Sequence, residues 1–228
     1  MLSIIPTPIG NKEDITLRAL RLLRELTWFF CEDPTTTKKL MSMYEIDYKW
    51  DNKQLYTFNS FLSDKQRDRY IELAKNQDIG LVCEAGTPWL SDPAKELVRQ
   101  CRIHHIPFEI LPGATALIPA VIGSNWDTTQ FAFFGFLPKK KGKQTALKKI
   151  IVSDYPVYIY ESVHRIDKTL TEIKELWFVW HVMICRELSK LHEQYAFWTI
   201  DELLVKIKNN QIPLKWEFVL WFNPWNVK

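Results

Sequence analysis

IGLVCEAGTPWLSDPA, residues 79–94, packs a strand, a tight loop and the start of a helix into one short stretch. Ile79, Gly80, Leu81, Val82 and Cys83 form an apolar run bounded by turn residues, which predicts a strand covered on both faces of a sheet. Glu84-Ala85-Gly86-Thr87-Pro88 ends the run abruptly. Gly86 permits a positive φ or the close approach of a ligand to backbone, and Pro88 fixes the outgoing chain. Ser91 or Asp92 then supplies an N-cap and Pro93 a first helical residue, for a helix reaching Cys101. Open α/β sheets bind ligands beyond the carboxyl ends of their strands, where a loop of this kind sits. The same residues also suit an ordinary βα turn with a well-made cap.

The pattern recurs on both sides of this stretch. Leu2-Ser3-Ile4-Ile5 reads as a strand, closed by the rigid loop Pro6-Thr7-Pro8-Ile9-Gly10-Asn11. Asp14 or Thr16 caps a helix whose apolar face is drawn through Leu17, Leu20, Leu23 and Leu26. Trp28-Phe29-Phe30-Cys31 is a second buried strand, with Glu32-Asp33-Pro34 at its carboxyl end as either a helix N-terminal device or a site. Residues 35–44 read as helix, 55–58 as a possible strand and 63–76 as a polar amphipathic helix. A strand over 108–111 leads into Pro112-Gly113-Ala114-Thr115-Ala116 and an apolar helix over 117–122; the small residues serve either a ligand lying on backbone or tight helix packing. Alternating strands and helices predict a parallel sheet with helices on its faces.

Composition shifts near residues 125–129, which places a boundary between an N-terminal α/β domain, 1–124, and a second domain, 125–228. In the latter, strands are expected over 131–136, 157–161, 182–185, 193–198 and 217–222, and helices over 143–152, 167–176 and 200–208. Hairpin-like neighbours predict a mixed sheet there.

With 46% hydrophobic and 25% charged residues the chain has the composition of a soluble globular protein. It carries no apolar run of the ~18 residues that a membrane span needs, and proline and charges follow Met1-Leu2-Ser3-Ile4-Ile5 too early for a signal peptide. Cys31, Cys83, Cys101 and Cys185 are scattered without a CxxC pair, which predicts reduced, mostly buried thiols in a cytoplasmic protein and no zinc site. No histidine spacing suggests a metal. A net charge of +3 is too mild to imply nucleic acid by itself. Lys139, Lys140, Lys141 and Lys143, with Lys148 and Lys149 close behind, form a dense basic patch: a solvated loop, or a contact for a phosphate backbone.

The segments PTPIGN (6–11), EAGTPWLSDP (84–93), LPGATAL (111–117), FGFLPKKKGK (134–143), YESVHR (160–165) and REL (186–188) follow one another in an order that resembles a known family. They are similar to the small-subunit ribosomal RNA (cytidine-2'-O)-methyltransferases of the tetrapyrrole methylase superfamily, with PTPIGN and YESVHR pointing to the rRNA branch. The resemblance implies two α/β domains with S-adenosyl-L-methionine in the cleft between them, a homodimer, and small ribosomal subunit rRNA as partner. It implies cofactor contacts at Pro8, Gly10, Glu84, Ala85, Gly86, Thr87, Leu90, Thr115, Ala116 and Tyr160. Glu32, Asp33, Glu161, Arg186 and Lys190 become candidates for activating the ribose hydroxyl or touching RNA phosphates, with the base left open among them. Lys139, Lys140, Lys141 and Lys143 would extend the RNA-binding surface. The same fold could instead serve a tetrapyrrole or protein acceptor, or persist as an inactive RNA-binding homologue; the basic patch argues against a small acceptor.

Three departures from the family pattern stand out. Glu84 replaces its usual aspartate, and Tyr56-Thr57-Phe58-Asn59-Ser60-Phe61 replaces a histidine-rich segment, keeping only Asn59. Trp89, Trp177, Trp198 and Trp216 fall at or near glycine positions of the pattern, where large rings would overpack the fold. Either UGA codons rendered as tryptophan, where the organism reads glycine, or ordinary drift in a divergent lineage would account for these and for a chain with seven glycines and ten tryptophans.

Overall fold

The computed structural model describes residues 1–59, 62–88, 95–125, 129–176, 181–215 and 217–222. The chain divides into two compact units, Met1–Thr115 and Ala116–Lys228.

In the first unit five strands, β1 (Leu2–Ile4), β2 (Trp28–Cys31), β3 (Gln54–Thr57), β4 (Ile79–Val82) and β5 (Phe108–Ile110), form a sheet in the order β3-β2-β4-β1-β5. Every pairing in it is parallel. The helices between strands are α1 (Leu17–Glu25), α2 (Pro34–Met43), α3 (Asp64–Asn76) and α4 (Lys95–Ile103). Side chains alternate across the sheet, as the period of a strand requires. Leu2, Ile4, Phe30, Ile79 and Leu81 face α3 and α4, meeting Tyr70, Ile71, Ala74, Leu97, Val98 and Cys101. Ile5, Phe29, Cys31 and Val82 face α1 and α2, meeting Ala19, Leu22, Leu23 and Met41. Each Leu, Ile, Val, Phe or Met among them contributes about 1.5–3 kcal/mol on burial.

Helix starts follow local chemistry. Thr16 caps α1, its hydroxyl accepting from the Ala19 amide at 3.1 Å. Ser63 and Gln66 form a reciprocal capping box at α3. The buried stripe of α1 differs from the expected one: Ala19, Leu22 and Leu23 are buried, while Leu17 is 86% exposed. Residues 19, 22, 23 and 26 stand at i, i+3, i+4 and i+7, the better helical period. The caps expected at Ser91 or Asp92, with Pro93, lie outside the described residues.

The second unit holds α5 (Leu117–Gly123), β6 (Ala132–Phe136), α6 (Lys143–Ile151), β7 (Val157–Glu161), α7 (Ile166–Leu176), β8 (Val182–Arg186), β9 (Gln194–Trp198), α8 (Ile200–Lys208) and β10 (Phe218–Phe222). Its sheet runs β6-β7-β10-β8-β9. Only β6 and β7 pair in parallel; β10 is inserted antiparallel between β7 and β8, and β9 pairs antiparallel with β8. One face carries Val157, Ile159, Val182, Ile184, Phe218, Leu220 and Phe222 against α6, α7 and α8. Tyr158 belongs to the other face, where its hydroxyl donates to Ser124 Oγ at 2.9 Å. Helix α5 packs against β10, so it counts with the second unit, whereas the composition shift falls after it.

Two α/β units, the first with a parallel sheet and the second with a mixed one, is the architecture anticipated from the sequence. Trp198 ends β9 half-buried, beside the second core, with the Lys206 ammonium 5.3 Å from its ring centre. Trp89, Trp177 and Trp216 lie outside the described residues. Among those described, no helix is long and apolar enough to cross a membrane.

Candidate functional site

The topology of the first sheet selects one of its edges. From β1 the chain enters α1 on one face and goes on to β2, while from β4 it enters α4 on the opposite face and goes on to β5. Because β1 and β4 are neighbours, their outgoing loops part above the sheet, which is the switch-point geometry that opens a ligand crevice.

Around this point three loops are laced together. The Thr7 amide donates to Gly86 O at 2.9 Å and the Gly86 amide donates back to Thr7 O at 3.0 Å. The Thr7 hydroxyl, on a residue 1% exposed, donates to Cys83 O at 3.3 Å. Thr87 Oγ1 donates to Ala114 O at 2.9 Å, tying the loop after β4 to the loop after β5. Gly86 has φ +80°, and a Cβ there would stand 3.2 Å from Ile9 Cγ2 and 3.4 Å from Ala114 O. Gly113 packs directly on Pro6: a Cβ would lie 2.3 Å from Pro6 Cβ. Small residues at both positions let the backbones meet.

The rim of this assembly is polar main chain rather than cationic side chain. Thr87, Pro8, Thr115 and Ala116 are half-buried, Gly10, Glu84 and Ala85 are exposed, and Gly86 is buried. Across residues 6–10, 83–88 and 111–116 the one charged side chain is Glu84. That donor set suits a neutral or cationic nucleoside such as a sulfonium, held by backbone groups, hydroxyls and one carboxylate; a phosphate-bearing cofactor would face the Glu84 charge without a lysine or arginine in these loops. Leu90 lies outside the described residues.

The acids at the end of β2 separate in role. Asp33 is the N-cap of α2: its carboxylate accepts from the Thr35 amide at 2.8 Å and from Thr36 Oγ1 at 3.2 Å. Hydrogen bonds from Thr35 first, then Thr36, hold it below the usual carboxylate range. Of the two readings of this pair, Asp33 thus takes the helix device; Glu32 beside it is exposed.

In the second unit Tyr160 is half-buried between Phe133 and Phe136, at 4.9 and 5.5 Å between ring centres. Glu161 is fully buried. Its Oε1 accepts from the Ser162 amide at 2.9 Å and pairs with Arg165 Nε at 3.3 Å, and its Oε2 accepts from Thr169 Oγ1 at 2.6 Å. Arg186, 8% exposed, donates from Nε to Gln194 Oε1 at 2.7 Å and from Nη1 to Glu187 Oε1 at 2.6 Å. Glu187 and Ser189 hold positive φ in the turn that follows, and burial lowers the pKa of the half-buried Lys190.

Lys139, Lys140 and Lys141 are exposed, as a phosphate contact requires. Lys143 departs from that grouping: it is 6% exposed, its ammonium donating to Thr169 Oγ1 at 2.9 Å and pairing with Glu172 Oε2 at 2.7 Å. Gly142, with φ +91°, turns the chain into α6 and sends Lys143 inward. Thr7, Thr169 and Glu172 escape the motif reading. Thr169 had a signal, since Ile166, Thr169, Leu170 and Ile173 share one buried stripe; a polar residue on that stripe requires a buried partner.

Comparison with known proteins agrees with this geometry. A family model described as Tetrapyrrole (Corrin/Porphyrin) Methylases matches residues 1–204. The ribosomal RNA small subunit methyltransferase I of Hydrogenobaculum sp. (strain Y04AAS1) is 38% identical over 221 residues, 96% of this chain and 94% of that one. Among solved structures, a diphthine synthase superposes with TM-score 0.72 at 13% identity, over 97% of this chain and 89% of that one. A uroporphyrin-III C-methyl transferase from Thermus thermophilus, complexed with S-adenosyl homocysteine, gives TM-score 0.61 at 14% identity over 98% and 97% of the two chains. At such identity these structures speak for the fold alone. Built on that fold and aligned with its relative along nearly its full length, the chain belongs to the tetrapyrrole methylase family and, within it, to the ribosomal RNA small subunit methyltransferases I.

Proposed function

We propose that this protein uses S-adenosyl-L-methionine to methylate small-subunit (16S) rRNA, and that the acceptor is the ribose 2'-hydroxyl of a cytidine in the decoding region. The observation that carries the reading is the 38% identity, over 96% of the chain, to a ribosomal RNA small subunit methyltransferase I. PTPIGN and YESVHR point to the rRNA branch, and the exposed Lys139, Lys140 and Lys141 suit an RNA backbone better than a small tetrapyrrole.

Bound S-adenosyl-L-methionine supplies an electrophilic sulfonium methyl. The chain's own task is to orient two reactants and relieve the attacking hydroxyl of its proton. Pro8, Gly10, the loop of Glu84, Ala85, Gly86 and Thr87, then Leu90, Thr115, Ala116 and Tyr160 hold the adenosyl and methionyl parts. Glu84, one methylene longer than the family's aspartate, accepts a hydrogen bond from ribose or main chain. Among the proton acceptors, Asp33 and Glu161 have their oxygens committed to Thr35, Thr36, Arg165 and Thr169. Lys190, whose pKa burial lowers against the opposing charge of Glu187, and Glu32 stay candidates for the base; Arg186, donating to Gln194 and Glu187, serves RNA contact and orientation. The protein acts as a homodimer.

Calorimetric titration with S-adenosyl-L-methionine, followed by transfer of labelled methyl to small subunits lacking the modification, tests the reading. Saturable binding with label in a cytidine ribose supports it. Absent binding, or label confined to a tetrapyrrole or protein acceptor, refutes it.

A further inference from the structure

The loop that carries the exposed lysines is fastened at both ends to one buried carboxylate. At its start, Leu137, the residue after β6, offers its carbonyl to Arg165 Nη2 at 2.8 Å, and the same guanidinium pairs through Nε with Glu161. At its end Lys143, the first residue of α6, donates to Thr169 Oγ1, whose own proton goes to Glu161 Oε2. The hydroxyl of Thr169 thus bridges the two, accepting from the ammonium and spending its only proton on the carboxylate. Glu172 balances the second cation, so two acids and two bases neutralise one another inside the unit. Apolar residues of similar volume would stabilise such a position as well or better, since burying charges costs solvation that their attraction barely returns. What the charged arrangement adds is directed geometry: Arg165 and Lys143 hold the two ends of the loop between Leu137 and Lys143 to partners set around Glu161 and Glu172.

We propose that Glu161 is a positioning residue for RNA binding. It clamps the loop of residues 138–142 through Arg165 and Thr169, so that Lys139, Lys140 and Lys141 meet the phosphate backbone of the substrate RNA as a preformed surface. The inference rests on the rRNA methyltransferase reading. Its consequences fall on RNA affinity and its salt dependence rather than on S-adenosyl-L-methionine.

The test is a two-by-two set in the full chain: wild type, Glu161→Gln, the triple Lys139→Ala/Lys140→Ala/Lys141→Ala, and the four changes combined. Binding to small subunits is measured across 50–200 mM salt, with S-adenosyl-L-methionine titration of each variant. Glutamine keeps the shape and removes the charge that fastens both ends. Glu161→Gln is expected to weaken subunit binding about tenfold with a shallower salt slope, raise KM for subunits more than it lowers kcat, and leave cofactor affinity unchanged. The combined variant should be no weaker than the triple, because both act through one loop. Should Glu161→Gln fail to fold, Thr169→Val, which cuts the link to Lys143 alone, is expected to give a smaller loss of the same kind. Wild-type subunit affinity in the Glu161 or Thr169 variant, or additive losses in the combined one, overturns the proposal. Wild-type protein that binds no subunits overturns instead the reading on which it rests.

Discussion

Replacing Gly113 by alanine tests whether the loops after β1 and β5 form one ligand cradle. The added Cβ would stand 2.3 Å from Pro6 Cβ and 2.7 Å from Pro6 Cγ, where unstrained carbon atoms sit at about 3.5–4.0 Å. Proline cannot swing aside, because its ring is closed on the backbone, so the two loops must part by roughly 1 Å. Overpacking of that kind costs about 1–3 kcal/mol, which for a chain of this size lowers the melting temperature by about 2–4 °C per kcal/mol. The displacement falls on residues next to Thr115 and Ala116, so affinity for S-adenosyl-L-methionine should drop about tenfold, equivalent to ~1.4 kcal/mol. Thermal melts with and without the cofactor give both numbers, and calorimetry checks the second. A Gly113→Ala protein with wild-type melting temperature and cofactor affinity refutes the argument. Pro6→Gly in the same chain removes the opposing atoms, so the double variant should lose less than the sum of the two single losses.

Gly86→Ala places a side chain at φ +80°, a conformation costing about 1–2 kcal/mol for a residue with a Cβ; a lowered melting temperature with weakened cofactor binding is expected, and wild-type behaviour excludes a role for that turn. Thr87→Val removes the hydrogen bond to Ala114 O, worth about 0.5–1.5 kcal/mol, and should weaken the cofactor several-fold in titration. Asp33→Ala removes the cap of α2 while Asp33→Asn keeps an acceptor, so alanine should destabilise the protein in denaturant melts and asparagine should retain both stability and methyl transfer. Equal loss of transfer in the two variants would mean that the charge of Asp33 acts in the reaction. Burial pushes the Cys31 and Cys101 thiols up to about 11, so thiolate is scarce below that pH. At pH 8 iodoacetamide should modify Cys83 well before either of them, and prompt alkylation of Cys31 or Cys101 in the folded protein counts against that burial.

Local order was legible in the sequence because its causes are local. The continuous apolar run Trp28-Phe29-Phe30-Cys31 reports a strand covered on both faces, period 3.6 over residues 166–173 reports which helix face is apolar, and Thr16, Ser63 and Thr199 stand at helix starts with side-chain oxygens within three residues of their partners. The motifs likewise placed candidate residues on loops after strands. Strand order was not legible: nothing local says that β4 and β5 return to flank β1, since that choice depends on pairings across the whole unit, yet the first pairing brings Thr7 to Gly86 and the second Pro6 to Gly113. Nor was the fate of individual charges. Lys139 and Lys143 stand in one basic run and read alike, but one faces water while the other meets Thr169 and Glu172 on another helix. The sequence by itself determined the succession of strands, helices and small-residue loops; the tertiary structure decided which loops touch and which charges are buried, because a charge or a glycine acquires its role from neighbours distant along the chain.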